Sequence, residues 1–151
     1  MFDGRLAVWS LAAGAGIPVM AVLNARIGRA LGEPMHAVML LFCVGLIFFT
    51  LVGVGLTGKL PNFAILVGMP KINLMGGVIV GFYVVSATIV APRFGVGNFI
   101  LFAVAGQIVI AACVDQWGMF GAAVREVSLL RLGGMVVMIT GLVIAQIAAQ
   151  K

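Results

Sequence analysis

The chain has 151 residues, 64% of them apolar and only 9% charged, with a mean hydropathy of +1.28 and a formal net charge of +5. So few polar groups do not cover a soluble domain of this size, so the composition points away from a water-soluble fold. The basic residues are scattered through short connections and tails, with no basic run interleaved with aromatics; that pattern suits phospholipid headgroups and argues against nucleic acid.

Five apolar stretches, at about 6–23, 35–56, 74–91, 96–114 and 132–149, approach the roughly 20 residues a helix needs to cross hydrocarbon. They predict an all-α membrane protein whose single domain, 1–151, is a five-helix transmembrane unit. An odd number of crossings sends the termini to opposite faces. Arg5, Lys59, Lys71, Arg125 and Arg131 then lie on the N-terminal side, and Arg26, Arg29, Arg93 and Lys151 on the other. Five against four gives the positive-inside rule little to act on. A chain without a preferred orientation inserts both ways, and two opposed copies make the inverted pair from which many transporters are built.

The first stretch begins after Arg5 and contains small residues, which gives it some likeness to a signal peptide. Its length and the four stretches that follow argue against cleavage. Pro18 frees the carbonyl of Gly14 and predicts a kink, which needs a neighbouring helix or water to satisfy it. The stretch is expected to end at Asn24, before Arg26 and Arg29, and Gly32 and Pro34 predict a short connection to an antiparallel second helix. The second stretch carries no charge. After it, the apolar run 63–69 is too short to cross; Pro61 and Pro70 bracket it and Lys59 and Lys71 flank it, so an interfacial segment is expected. In the third stretch Gly77 and Gly81 share a helical face and permit close packing, as do Gly16 in the first stretch and Gly133 in the fifth. Pro92, Arg93 and Gly95 predict a tight turn into the fourth stretch. No internal repeat is visible, so any second half comes from another chain.

No catalytic constellation stands out, and an enzyme is the least expected class. His36, the only histidine, reads as an interfacial residue, and with Cys43 and Cys113 it has no recognised metal-ligand spacing. The two cysteines read as reduced thiols within their helices. Gly14-Ala-Gly16 and Gly95-Val-Gly97 lack the preceding strand and the third glycine of a dinucleotide loop. No cofactor or metal is implied. Polar groups in the membrane are costly, and their placement is the best remaining guide. Trp9, Ala13, Gly16, Met20 and Asn24 recur at helical spacing on one face, which either lines a cavity or packs on another helix with Trp9 as an interfacial anchor. Tyr83 and Ser86 share a face of the third helix, where the phenol needs a partner, from a substrate or from a neighbouring helix. Gln107 lies near the middle of the fourth stretch with two donors and an acceptor to satisfy, as interhelical glue or as a substrate contact. Asp115 follows two turns later on roughly the same face, at the end of the stretch and with no basic neighbour in sequence. It reads either as a proton-coupling carboxylate or as a membrane-edge acid paired with a loop arginine.

These residues also carry a resemblance. The run from Gly16 through Ile17, Pro18 and Asn24 to Gly28 resembles the first-helix signature of the YdcZ-like family, five-helix members of the drug/metabolite transporter superfamily. Gly76-Gly77 with Gly81 and Tyr83 is similar to that family's third helix, and Gly106-Gln107 with the block from Asp115 to Gly121 is similar to its fourth. Arg131-Leu-Gly133 fits the start of the last helix. Family members often have glutamine two residues after the first-helix proline; this chain has Met20, which implies a different or more apolar substrate. The resemblance implies membrane transport, export in direction, by a ten-helix inverted dimer of two five-helix chains: two copies or a paralogous pair. The membrane implied is the inner membrane of a bacterium. Trp9, Met20, Asn24, Tyr83, Ser86 and Gln107 are then the candidates to line a substrate cavity, with Asp115 as proton carrier. The other classes to separate from this are a dual-topology ion channel of the fluoride type and an accessory half of a heteromeric transporter or lipid flippase.

Overall fold

A computed structural model describes residues 4–148. Among them the chain forms five long helices and three short 3₁₀ turns, with no strand. The helices are α1 (Gly4–Leu31), α2 (Pro34–Thr57), α3 (Met75–Phe94), α4 (Val96–Trp117) and α5 (Leu129–Ala148). With their flanking turns, all five are long and apolar enough to cross a membrane. The expected C-terminal limit at Ala149, and Lys151 beyond it, lie outside the described residues.

The five apolar stretches therefore become five helices, but the helices outrun them. α1 continues through Asn24, Arg26 and Arg29 to Leu31. Polarity ends an apolar run without ending a helix: arginine is a good helix former, and nothing before Gly32 breaks the backbone. At 28 residues, α1 is about 42 Å long, more than the hydrocarbon core requires. Pro18 lies inside it, and the helix is continuous on both sides. Pro92 and Arg93 likewise stay inside α3, so the expected turn contracts to Gly95, at φ 95° and ψ 136°. A side chain clashes with the backbone there, so only glycine takes this conformation freely. The apolar run after α2 folds as a 3₁₀ turn, Phe63–Gly68, whose N-cap Asn62 accepts a hydrogen bond from the Ala64 amide.

The chain falls into two compact units that meet in sequence at Val96 and Gly97. In the first, α1, α2 and α3 pack on one another. Their buried residues are small and lie at one end: Ala21, Asn24, Ala25 and Gly28 near the C-terminus of α1, Ala37 and Val38 near the N-terminus of α2, and Val84, Ala87, Thr88 and Ala91 in the second half of α3. Lipid tails are as apolar as leucine, so helices in a membrane gain most from close backbone approach, and alanine, glycine and threonine permit it. Gly28 is where the approach is tightest. A Cβ there would stand 3.2 Å from the Cα of Pro34 and within 4 Å of Ala37 and Thr88. The glycines expected to pack are placed differently: a Cβ on Gly81 would touch only Phe42, at 4.0 Å, and one on Gly16, Gly77 or Gly133 would meet nothing within 4 Å among the described residues.

In the second unit the connection from α4 to α5 is tied back to the end of α4. The Arg125 amide donates to the Asp115 carbonyl at 2.8 Å, and the Val127 amide to the Gln116 side-chain oxygen at 2.7 Å. Ser128 then caps α5, its hydroxyl oxygen accepting from the Arg131 amide at 3.2 Å.

Candidate functional site

The candidate residues of α1 divide between two surroundings. Near its start, Trp9 and Ala13 lie with Val8 and Ala12 on an open, almost wholly apolar face of α1 alone. Trp9 is 79% exposed there. Met20, two turns before the tight packing, is half-buried. Asn24, on the same side of the helix, is only 2% exposed. Its amide nitrogen donates to the Thr88 hydroxyl oxygen at 2.6 Å, and the Thr88 hydroxyl donates to the carbonyl of Val84, one turn back, at 2.8 Å. The expected face is thus open at the Trp9 end and closed against α3 at the Asn24 end. Asn24 clasps the two helices while its own oxygen is left without a partner among the described residues.

On α3, Tyr83 and Ser86 are both half-buried. The Ser86 hydroxyl donates to the Phe82 carbonyl at 2.8 Å and is satisfied within its own helix.

On α4 the spacing places two candidates together. Gln107 and Asp115 lie in one shallow, open groove on the surface of α4, with Gly106, Ile110, Ala111 and Val114 of the same helix. Eight residues are a little over two turns, so both side chains rise from the same strip of helix. The Gln107 amide is exposed near the middle of an apolar helix, and the Asp115 carboxylate stands at its end. Asp115 also pairs with Arg131, in the first turn of α5, at 2.6 Å. Both side chains keep partial solvent access, 29% for Asp115 and 40% for Arg131, so the pair contributes roughly 0–1 kcal/mol to stability. The carboxylate carries the groove's charge, and Arg131 offsets it from the neighbouring helix.

Sequence reasoning missed several of these groups. Thr88 carried no signal beyond being a hydroxyl in an apolar run, and its partner is 64 positions away. Ser128 was legible as an N-cap, three residues before the amide it accepts from. Gln146 on α5 is buried with an unpartnered oxygen among the described residues, and a glutamine in an apolar helix signalled it as plainly as Gln107 was signalled.

The family model described as "putative inner membrane exporter, YdcZ" matches residues 6–144. No match was found among the curated proteins or the solved structures compared with the chain. The matched region takes in all but the outermost turns of the five apolar helices, with the α4 groove and the ion pair that edges it. The chain therefore belongs to the YdcZ family and is an inner-membrane protein of the exporter class.

Proposed function

We propose that the protein is a secondary transporter, and not an enzyme, that exports a small molecule by alternating access. Two oppositely oriented five-helix chains form its ten-helix unit. The observation that carries this reading is the α4 groove. It presents a mid-membrane amide at Gln107 and a carboxylate at Asp115 on a surface that is open along its length. A polar strip on an apolar helix is costly against lipid and is expected to face a partner or a water-filled cavity. An opposed second chain supplies that cover, and the near balance of basic residues between the loops supports insertion in both orientations. In this reading Gln107 contacts the substrate, and Asn24 holds α1 to α3. Asp115 takes up a proton when it leaves Arg131, and loss of that ion pair frees α5 to shift against α4.

The substitution Gln107→Leu tests this. It is close in size, removes every hydrogen-bonding group from the middle of the groove, and suits a lipid-facing position equally well. Transport in proteoliposomes should fall to background while the variant still purifies as the same oligomer. Undiminished transport by the variant overturns the assignment of the groove.

A further inference from the structure

At the tightly packed end of the first unit, the surface carries a second concave site that the transport reading does not use. It is a cavity of about 350 Å³ bounded by Arg29 near the C-terminus of α1, Arg93 near the C-terminus of α3, and Pro34 at the start of α2. Gly28 and Thr88 form part of its wall. Three features give it a chemistry. First, the two guanidiniums come from different helices and border one hollow. Among the described residues the only ion pair is Arg131 with Asp115, so neither has a carboxylate partner. Exposed Glu33, next to Pro34, pairs with neither of them and makes no side-chain cap bond to α2. Second, Pro34, the first residue of α2, lines the same hollow, so the positive end of that helix dipole lies beside the two arginines, although proline itself offers no N–H. Third, its place is the hydrocarbon boundary. The apolar stretch of α1 ends at Leu23, six residues before Arg29, and that of α3 at Ala91, two before Arg93. Each arginine also sits in the last turn of its helix, where its charge complements the helix end. A guanidinium has five donors in a planar fork, so this leaves donors for a bidentate ligand.

We propose that this cavity binds a phosphate group, held between Arg29 and Arg93 against the start of α2. Two forked cations at the depth of the lipid headgroups match the phosphodiester of an anionic phospholipid. A free phosphate presents the same oxygens, so the test separates the two sources. Thr88 takes no part in binding. Its hydroxyl is already engaged with Asn24 and Val84, and it serves as wall.

The full-length protein is purified and placed in nanodiscs of phosphatidylcholine, alone or with phosphatidylglycerol, and bound lipid is measured by native mass spectrometry. Phosphatidylglycerol should be retained at one molecule per chain, and Arg29→Gln/Arg93→Gln should weaken that retention by about tenfold or more. Lys59→Gln/Lys71→Gln, which removes equal charge at the other end of α2 and α3, should leave it unchanged. Arg29→Lys/Arg93→Lys keeps the charge without the fork and should fall between them, which guards against a neutral variant that fails to fold. A parallel arm titrates inorganic phosphate into the phosphatidylcholine discs and follows thermal unfolding. A stabilisation that the arginine double variant abolishes supports the site with soluble phosphate as its source. The inference is overturned if neither ligand is retained, or if both double variants reduce retention equally.

Discussion

Asn24 and Thr88 show how one polar contact is set by two helices. The Asn24 amide donates to a hydroxyl that already donates to its own helix, so Thr88 is the acceptor on which Asn24 depends. Thr88→Val keeps the shape and strands the buried amide nitrogen, which costs about 1–3 kcal/mol. Asn24→Leu/Thr88→Val removes both polar groups and should be more stable than Thr88→Val alone. Reversible unfolding in detergent measures both, and a double variant less stable than Thr88→Val would refute the clasp. Asp115 is a different case. Its bond to Arg131 is partly exposed, so Asp115→Asn should change stability by less than about 1 kcal/mol. In the proposed mechanism the same change removes the response of transport to a proton gradient. Flux with and without an imposed gradient checks this, and an unaltered gradient response rules out Asp115 as the proton carrier. Asn24, Gln107 and Asp115 were legible in the sequence because a polar residue stands out in an apolar run. For Asp115 the pairing with an arginine of the following connection was legible too, though not that it would be Arg131, 16 positions on; Thr88, 64 positions from Asn24, was not, because only packing joins them.

At the scale of helices, hydropathy located all five elements and misjudged their ends. An apolar window detects the lipid-facing part of a helix, whereas the backbone ends where propensity and sterics end it. Asn24, Arg26 and Arg29 continue α1, Pro92 and Arg93 continue α3, and one residue, Gly95, separates α3 from α4. That residue's backbone suits glycine alone, so Gly95→Ala should lower stability by about 1–3 kcal/mol. Thermal unfolding tests it, and an unchanged midpoint would mean that the connection adopts another conformation. The packing surface was the harder reading. Small-residue spacing nominated Gly16, Gly77, Gly81 and Gly133, yet the tightest approach between helices at a glycine is at Gly28, where α1 meets the start of α2 and the side of α3. Spacing shows which glycines share a face. It does not show which face meets a neighbour, because apolar residues surround each helix here and lipid and protein contacts look alike in sequence.

At the scale of the molecule, the family and the membrane were legible because both follow from long-range pattern: five apolar helices and a set of helix-specific motifs from Gly16 to Gly133, within the 6–144 that the family model matches. The proposed assembly rests on a subtler quantity. Five crossings would put Arg5, Lys59, Lys71, Arg125 and Arg131 on one face and Arg26, Arg29, Arg93 and Lys151 on the other, a difference of a single charge. The central claim is that this balance lets two copies insert in opposite orientations and cover each other's polar strips. Reporters fused to the C-terminus, one active only in the cytoplasm and one only outside it, test it most directly. Activity of both in the same cells is the expected result, and moving one positive charge between faces should bias the ratio. Activity of one reporter alone would contradict a pair made from copies of this chain.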